Sequence, residues 1–480
     1  MTVRRLVPLA LGLLLAVGST FTAAHAADGP KADAFVVKPY LQLGDDPSKA
    51  GPGDLRLLWQ GDDVDADWSV EYQAGKGRPF QAAETPTSRR VAVPSIAPHR
   101  VYRVDLKGLI PGESFAYRVR KGAEVVFESE AKSRKTADQP YRFLAVGDLA
   151  QGTAEQKAIG CRMAMVGADL AVFTGDMVYA RGRISEYREK YWPVYNADAA
   201  DPKVGGPLLR STVTAAAPGN HDVGSRDLEK YPDGLAYYYY WDQPRNGPES
   251  GPFAPPLAGP GPNQKAFLDA AGAAYPRLAN FSFDYANAHW TVLDANPYVD
   301  WRDPGLRDWI ARDLAAAKGA TWRFVAFHHP GFNSAEKHFE QQEMRLIADV
   351  LEAGKVDVVF NGHVHNYQRS FPLRFVAAKG SDGRMVREKD LVPGTWTIDK
   401  SFDGKANTRP EGVIYLVTGG GGAGLYNPEQ QDRPNTWQTF TDKFISKQHS
   451  ITVADVAGTA LTIRQLAADG AELDRFSVDK

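Results

Sequence analysis

Short runs in which apolar and polar positions alternate fill the chain between residues 36 and 135. These runs are rich in β-branched and aromatic side chains, and Gly and Pro turns separate them. They are residues 68–72, 90–93, 102–106 and 115–119. Several short strands at such spacing are typical of an antiparallel sandwich. We therefore predict an all-β sandwich over residues 36–136.

The pattern changes after a short linker at residues 136–140. The later runs are apolar without alternation, which indicates strands buried on both faces. They are residues 143–146, 170–173, 324–327 and 356–360. Segments of helical character lie between them, at residues 156–165 and 340–352. This order predicts an α/β β-sandwich with α-β-β-α layers over residues 140–480.

Two long segments interrupt the α/β pattern. Residues 243–264 are rich in Pro and Gly, and residues 374–411 are polar and rich in turns. Segments of this length often form lids or binding surfaces. The aromatic run at residues 237–241 precedes the first of them. It fits either a packed strand or the flank of a substrate groove, and the sequence leaves the choice open.

The first 26 residues have the pattern of a secretory signal peptide. Arg4 and Arg5 precede an apolar stretch at residues 6–17, and Ala24-His25-Ala26 is a typical cleavage site. The stretch is shorter than the roughly 20 apolar residues that a membrane span needs. We predict a secreted or periplasmic protein cleaved near Ala26, with a retained N-terminal anchor as the alternative and no later membrane span.

The charge and cysteine counts narrow the possible functions. The formal net charge is −2, with 56 Lys and Arg against 58 Asp and Glu, and no basic stripe occurs. This balance argues against a nucleic-acid partner. Cys161 is the single cysteine, so an intrachain disulfide is impossible. We interpret it as a buried, inert thiol.

Five short motifs each carry a side chain that can bind a metal ion, and four of them follow a predicted strand. Ligand sites in α/β folds gather at such strand ends. Carboxylate, phenol, amide and imidazole ligands in this number suffice for two metal ions, a type of site suited to attack on phosphate esters. The motifs are Gly147-Asp148, Gly175-Asp176-Met177-Val178-Tyr179, Gly219-Asn220-His221-Asp222, Val325-Ala326-Phe327-His328 and Gly362-His363-Val364-His365.

With these motifs the chain resembles the purple acid phosphatases, a family of calcineurin-like metallophosphoesterases. The most specific match is residues 362–369, which resemble the family's GHVHxYxR run. Pro39-Tyr40-Leu41-Gln42 resembles the opening of the family's N-terminal sandwich, which is fibronectin type III-like. The resemblance covers nearly the whole chain after residue 26. It implies an acid phosphatase that hydrolyses small phosphate monoesters.

The resemblance also implies two metal ions that share one ligand. The first ion would be bound by Asp148, Asp176, Tyr179 and His365, and the second by Asp176, Asn220, His328 and His363. The first set is hard and anionic and suits Fe(III), whereas the second suits a divalent ion, namely Fe, Zn or Mn. A hydroxide held by the metals would attack phosphorus in line.

Histidines outside the ligand set are expected to handle the substrate. His221 follows Asn220 and is predicted to contact the phosphate or the leaving-group oxygen. His338 is a candidate proton donor or phosphate contact. Lys337 stands where plant members of the family have a histidine, and it would add a cation for anionic substrates. Ala150 replaces a Gly of the first motif, and we expect only a local backbone adjustment there.

The remaining conspicuous residues are predicted to have structural roles. Asp222 is expected to orient a neighbour, His329 to support a turn, and Arg369 to form an ion pair. The glycine cluster at residues 419–424 contains G-x-G-x-x-G, but no helix follows it, so we predict a tight turn beside the metal site rather than a nucleotide site. The histidines interpreted as structural are His99, His289 and His449.

Two other functions stay open at this point. A related metallophosphoesterase that acts on diesters or nucleotides would share the ligands, because outer loops set specificity. A binding or adhesion protein with a vestigial catalytic domain is the alternative of another class. The complete ligand set argues against the second alternative.

Overall fold

The computed structural model describes residues 34–248, 251–258 and 261–480. The predicted signal peptide, residues 1–26, lies outside these ranges. Within them, no helix is long and apolar enough to cross a membrane.

The described residues contain 25 strands, numbered β1 to β25 in chain order. They are Val37–Gln42, Leu55–Asp62, Trp68–Gln73, Phe80–Ala82, Thr87–Val91, His99–Leu106, Ser114–Lys121, Glu124–Lys132, Tyr141–Val146, Leu170–Phe173, Asn196–Asp201, Gly205–Pro207, Val213–Ala216, Phe281–Tyr285, Ala288–Leu293, Trp322–Phe327, Val358–Asn361, Tyr367–Ser370, Leu373–Ala377, Gly394–Ile398, Ile414–Thr418, Thr441–Ile445, Ser450–Ala457, Ala460–Ala467 and Glu472–Asp479.

Eight α-helices accompany these strands in the described ranges, numbered α1 to α8. They are Ala154–Met165, Ile184–Glu186, Trp192–Tyr195, Asn220–Val223, Tyr237–Tyr240, Pro262–Ala271, Pro304–Ala316 and Ala348–Ala353. A π-helical turn covers Tyr187–Tyr191. The 3₁₀ turns are Pro47–Lys49, Gly272–Ala274, Glu343–Ile347, Pro428–Asp432 and Pro434–Thr436.

Two mixed sheets face each other and form the α/β sandwich. One has the strand order β25-β24-β23-β9-β10-β13-β1-β2-β6-β5, and the other β14-β15-β16-β17-β21-β18-β22. Phe143 of β9 marks the core between them, with its ring centroid 5.1 Å from that of Trp290 and 5.3 Å from that of Phe324. The unbroken apolar runs therefore lie where both faces of a strand are covered.

Helices cover the outer faces of both sheets. Ile159 and Met163 of α1 pack with the outward side chains of β9 and β10. Leu306 and Ile310 of α7, with Leu351 of α8, pack on the outer face of β16 and β17. This arrangement confirms the predicted fold class, a strand-rich N-terminal region followed by an α-β-β-α sandwich.

The N-terminal strands continue directly into the larger sheet. β1 pairs in parallel with β13, with Gln42 opposite Thr214. A separate four-stranded sheet, β4-β3-β7-β8, shares a hydrophobic core with β2 and β6. Trp59 of β2 and Trp68 of β3 join the two layers, with ring centroids 5.6 Å apart. The predicted boundary near residue 136 is thus not a break in the sheet.

Several predicted elements differ in detail from the structure. The aromatic run forms the short helix α5, and its four tyrosines are buried in the core. It is neither a strand nor the flank of an open groove, because burial of the rings outweighs the strand preference of tyrosine. The helix predicted at residues 340–352 is divided into a 3₁₀ turn and α8. The segment 374–411 contributes the hairpin of β19 and β20.

Candidate metal centre

Five strands end at one edge of the sandwich, and each leads into one motif. In the larger sheet β9, β10 and β13 are parallel, and in the smaller one β16 and β17 are parallel. The carboxyl ends of parallel strands share an edge, so the loops after them converge. The first candidate ligands on these loops are Asp148, Asp176, Asn220, His328 and His363.

Two buried carboxylates and one imidazole form the centre of the cluster. The ligand atoms of Asp148, Asp176 and His328 all lie within 4.8 Å of one another. His328 Nε2 is 3.2 Å from Asp176 Oδ2 and 3.1 Å from Asn220 Oδ1. Burial disfavours the charged imidazole, but the carboxylate of Asp176 raises the pKa of His328 to about 9. Burial also acts against the Asp176 carboxylate, yet His328 lowers its pKa overall.

Tyr179 and His365 complete the side of the cluster next to Asp148. The Tyr179 hydroxyl donates to Asp148 Oδ1 at 3.0 Å and lies 3.1 Å from His365 Nε2. Burial, followed by the charges of Asp148 and Asp176, raises the pKa of Tyr179 well above its usual value. A phenolate at this position therefore requires a strong cation beside it.

Three candidate ligands adopt a left-handed backbone conformation that side chains rarely accept. The φ angles are 62° at Asp148, 55° at Asp176 and 67° at His363. Such conformations cost about 1–3 kcal/mol each and persist where the surrounding structure enforces them. Glycine at neighbouring positions lets the loops approach these ligands closely. A Cβ on Gly219, for example, would lie 2.2 Å from Asp176 Oδ1.

Hydrogen bonds fix which ring nitrogen each histidine presents to the cluster. The Nδ1–H groups of His328 and His365 donate to the carbonyl oxygens of Thr174 and Gly424, at 2.7 and 2.6 Å. Their Nε2 atoms therefore face the carboxylates. His363 has the opposite arrangement, because its Nε2 is hydrogen-bonded to Gln341 Oε1. Such partners orient the ligand and set its tautomer.

His221 lies at the mouth of the cluster rather than within it. Its backbone N–H donates to Asp176 Oδ1 at 2.8 Å, and its Nδ1–H donates to the Ala180 carbonyl oxygen at 2.8 Å. The remaining nitrogen, Nε2, is 4.0 Å from Asp176 Oδ2, and the side chain is 33% exposed. His221 is thus placed to meet a molecule that approaches the buried carboxylates from solvent.

His338 lies against the opposite side of the cluster. Its ring centroid is 4.1 Å from that of His363. Burial, followed by the charge of Lys337, lowers the pKa of His338 to about 4. Lys337 Nζ is 5.7 Å from the centre of the Tyr426 ring, and Tyr426 stacks on His365 with centroids 4.0 Å apart. Lys337 therefore lies at the rim of the site.

Asp222 supports the turn that carries Asp176. Its carboxylate is fully buried and accepts the backbone N–H groups of Asp176 at 2.8 Å, Met177 at 3.1 Å and Gly219 at 2.8 Å. This agrees with the predicted orienting role. Ala150 forms an isolated parallel bridge with Val178 and lacks a left-handed φ, so a glycine is not required there.

The glycine-rich segment at residues 419–424 packs against the candidate ligands on the side of Asp148. A Cβ on Gly419 would lie 2.7 Å from Asp148 Oδ2, and one on Gly421 would lie 2.2 Å from the Gly147 carbonyl oxygen. The Ala423 N–H donates to the Asp148 carbonyl oxygen at 3.0 Å. The segment is a tight turn against Asp148, as predicted, and close packing explains its glycines.

The donor set fits a centre of two metal ions. Asp148 and Asp176 are 0% and 1% exposed, and no Lys or Arg in the described ranges forms an ion pair with either of them. Buried carboxylates need a compensating charge. Oxygen and imidazole donors surround them on both sides, as iron, zinc and manganese prefer.

The residues interpreted as structural have ordinary partners. Arg369 pairs with Asp474 at 2.8 Å and Asp442 at 2.7 Å. His329 is buried against His363, with ring centroids 4.2 Å apart. Cys161 is buried, and burial raises the pKa of its thiol. His99 is hydrogen-bonded to the Tyr240 hydroxyl, and His289 to two aspartates. His449 is hydrogen-bonded to a backbone carbonyl oxygen.

Three residues of the site were not anticipated from the sequence. Gln341 bonds His363, Tyr426 stacks on His365, and Lys190 Nζ donates to the Tyr179 carbonyl oxygen at 2.6 Å. None lies in a motif, and each reaches the site from a loop or a π-helical turn. Of these three positions, only that of Lys190 carries a local mark of function, because π-helical turns are frequent at functional sites. That turn is seen in the structure and could not be read from the sequence.

A cavity of about 570 Å³ opens beside His338. Gln341 and Phe339 form part of its wall, together with the carboxylates of Glu336, Glu340 and Asp390. The cavity therefore adjoins the cluster on the side of His363.

Comparison with known proteins gives the following matches. The calcineurin-like phosphoesterase family matches residues 135–367. Purple acid phosphatase 23 of Arabidopsis thaliana is 27% identical over 296 residues, which are 56% of this chain and 57% of that protein. Purple acid phosphatase 21 of the same plant is 23% identical over 68% of this chain and 66% of its own length. The matches thus span less than two thirds of either relative.

A solved structure is similar over most of the chain. The purple acid phosphatase from yellow lupin (Lupinus luteus) seeds superposes with a TM-score of 0.63 at 17% identity. The alignment covers 92% of this chain and 74% of that one. At this identity the likeness concerns the fold, and it includes the N-terminal strands.

Proposed function

We propose that this protein is an exported acid phosphatase, because residues 135–367 match the calcineurin-like phosphoesterase family and the chain is similar to purple acid phosphatases. It would hydrolyse phosphate monoesters at a centre of two metal ions. The observation that carries the proposal is the pair of buried carboxylates, Asp148 and Asp176, which lack a Lys or Arg partner within the described residues. Metal ions would supply the missing positive charge and would in turn bind the phosphate ester.

In this proposal the ligands would form two sets that share Asp176. Asp148, Tyr179 and His365 lie on one side, and Asn220, His328 and His363 on the other. Bound metal ions would draw charge from the phosphate oxygens and lower the pKa of a coordinated water. The chain itself would hold both sets rigid, through the left-handed turns and the hydrogen bonds to the imidazoles.

His221 would act on the substrate directly. Its Nδ1 proton is held by the Ala180 carbonyl oxygen, so Nε2 is the nitrogen that meets the phosphate or the leaving-group oxygen. His338 would be mostly uncharged at neutral pH, because burial and Lys337 lower its pKa to about 4. A neutral imidazole suits a hydrogen-bond contact better than proton donation, and Lys337 at the rim would attract anionic substrates.

The first set favours Fe(III), and the second a divalent ion. Tyr179 is the residue on which this assignment depends, because its buried phenol ionises only beside a strong cation. We expect the iron-loaded protein to absorb visible light through a ferric–phenolate band that Tyr179→Phe abolishes. A colourless wild type with iron in place would refute the assignment, while Trp and Tyr changes elsewhere should leave the band intact.

Monoesterase activity can be tested directly. We expect an aryl phosphate to be hydrolysed faster than its bis-aryl diester, and His221→Ala to lower turnover by about 10²–10⁴-fold. His449→Ala is a matched control, because the His449 ring is hydrogen-bonded to the Ala423 carbonyl oxygen and to no candidate ligand among the described residues. A clearly faster diester would favour the alternative of a phosphodiesterase or nucleotide hydrolase. Absence of any phosphatase activity in the metal-loaded protein would favour an adhesion protein.

The proposal also includes export of the protein and a fibronectin type III-like N-terminal region. Export rests on the signal-peptide pattern of residues 1–26, and the N-terminal sequence of the mature protein would test it. The assignment of residues 36–136 as fibronectin type III-like is supported by the antiparallel strands β1, β2, β6 and β5 of the larger sheet, which pack against the antiparallel sheet β4-β3-β7-β8. A relative from Allium cepa is named a phosphoenolpyruvate phosphatase, so phosphoenolpyruvate is a reasonable first anionic substrate for this chain.

A further inference from the structure

One histidine of the centre has a partner unlike the others. His328 and His365 each donate Nδ1–H to a backbone carbonyl oxygen, and so does His221. A backbone carbonyl oxygen stays in place whatever side chain its residue carries, so a substitution at that residue does not remove such a bond. His363 is instead bonded through Nε2, and its partner is a side chain, Gln341 Oε1. A substitution can therefore remove this one bond and leave the loop in place.

The geometry points to Gln341 as a positioning residue for the second metal ion. We propose that its amide oxygen accepts the Nε2 proton of His363 and so holds the ring with Nδ1 directed at the metal. The inference rests on the proposed metal centre. In the part of the chain that the structure describes, no hydrogen bond joins Gln341 to Asp176 or His328, so its effect passes through His363.

The surroundings of His363 show why its ring needs a partner. Its ring is packed between those of His329 and His338, at centroid distances of 4.2 and 4.1 Å. Those contacts hold the ring plane, but they do not select which nitrogen faces the cluster, because a 180° flip leaves the ring in the same plane. The hydrogen bond to Gln341 distinguishes the two orientations. Within the described residues it is the only hydrogen bond made by the ring nitrogens of His363.

The backbone of His363 is fixed independently of Gln341. Its N–H donates to Asp148 Oδ2 at 2.8 Å, and its φ of 67° belongs to the tight turn after β17. Loss of Gln341 should therefore free the ring without moving the chain. Partners of metal-binding histidines typically contribute 10–100-fold to metal affinity.

Gln341 also belongs to the wall of the 570 Å³ cavity beside His338. The residue that would orient His363, a ligand of the second ion, therefore lies in the cavity wall. The first ion has no such dependence, since His365 relies on the Gly424 carbonyl oxygen. We accordingly expect substitutions at Gln341 to affect one of two metal-binding steps.

The test compares three variants of the full chain. Gln341→Met keeps the size of the side chain and removes the amide oxygen. Gln341→Glu offers only acceptor oxygens, so it preserves the bond only if His363 is the donor. Gln438→Met is the matched control, because Gln438 lines the same cavity and, among the described residues, its side chain forms no hydrogen bond with a histidine. Circular dichroism and thermal unfolding establish that each variant folds.

Zn²⁺ titration of the metal-free proteins gives the first readout. Wild type, Gln341→Glu and Gln438→Met should bind two ions with similar affinity, whereas Gln341→Met should lose about 10–100-fold in one step only. Equal affinity of Gln341→Met and wild type for both ions would overturn the proposal. The proposal would also be contradicted if Gln341→Glu lost as much Zn²⁺ affinity as Gln341→Met, because the glutamate should still accept the Nε2 proton of His363.

Nitrogen NMR of histidine-labelled, metal-free protein gives a second readout that involves neither metal nor activity. The His363 signals are assigned by their loss in His363→Asn. We expect the proton on Nε2 and slow exchange of that proton with solvent in wild type, and faster exchange in Gln341→Met. A proton on Nδ1 in wild type would refute the role of Gln341 even if the protein proved to be a phosphatase. Conversely, an inactive protein with the expected tautomer would leave Gln341 correctly assigned and the activity wrong.

Discussion

Among the described residues, we compare two clusters that combine histidine with aspartate, of which one has the structure of a reactive site. In the candidate metal centre His328 lies 3.2 Å from Asp176. On the smaller sheet His289 lies between Asp284 and Asp313, at 2.8 and 3.0 Å. In both clusters neighbouring carboxylates raise the pKa of the histidine to about 9, against the effect of burial. Residue chemistry alone does not separate them.

The backbone separates the two clusters. Asp148, Asp176 and His363 are left-handed, whereas His289, Asp284 and Asp313 adopt ordinary strand or helix conformations. The His289 cluster is also complete, since both ring nitrogens have a carboxylate partner and Thr291 donates to Asp313 at 2.8 Å. A site that stores strain and whose carboxylates have no Lys or Arg partner within the described residues is prepared for a ligand, while a relaxed and fully paired site stabilises the fold.

The largest expected difference concerns the carboxylates themselves. Asp176→Asn removes the charge that both metal ions would share, so turnover of an aryl phosphate should fall by on the order of 10³-fold. Asp313→Asn makes the same chemical change in the His289 cluster and should lower stability while leaving kcat near that of wild type. Assays well below the melting temperature of both variants check this. An equal loss of kcat in Asp313→Asn would remove the distinction between the clusters.

A smaller effect is expected from crowding the strained site. Gly419→Ala places a Cβ 2.3 Å from the Val364 carbonyl oxygen and 2.7 Å from Asp148 Oδ2. Relief of such contacts costs about 1–3 kcal/mol and shifts the ligand. We expect reduced metal content after dialysis against a chelator. Gly319→Ala, where nothing lies within 4 Å of the new Cβ, should retain the wild-type content, and a loss there as well would contradict the explanation.

The smallest effect, and the most specific in its pH dependence, concerns the relaxed cluster. Because the pKa of His289 is raised to about 9 from an ordinary 6.5, its charge stabilises the folded state below pH 6.5. That contribution is lost as the pH rises through 9, and it amounts to about 3 kcal/mol at most. The cost of His289→Gln, measured by chemical denaturation, should therefore shrink between pH 6 and pH 9.5.

His99 provides the opposite slope as a control. Burial lowers its pKa to about 4, so the neutral ring is favoured and stability is lost as the pH falls from 6.5 through 4. The cost of His99→Gln should decrease toward acidic pH. Parallel slopes in the two variants would show that the two environments do not act on the histidines as described.

The sequence is enough to predict the fold class and the convergence of the motifs. Unbroken apolar runs identify β9, β10, β16 and β17, and ligands placed at their ends must meet at one edge. Gln341 and Tyr426 could not be predicted, because loops of irregular path bring them to the site. The helical form of α5 could not be predicted either, since four consecutive tyrosines favour a strand until the surrounding core is known.

The helix α5 also has a consequence for how the molecule comes apart. The Tyr240 carbonyl oxygen accepts the Tyr40 hydroxyl at 3.0 Å, and the Tyr240 hydroxyl lies 3.0 Å from His99 Nε2, so both ends of this residue bind N-terminal strands. The same helix is buried in the core that contains α1 and β10. Neither part can lose its structure without exposing aromatic surface of the other. A calorimeter should therefore record a single cooperative heat absorption, and a protease should fail to release the N-terminal strands as a separate fragment.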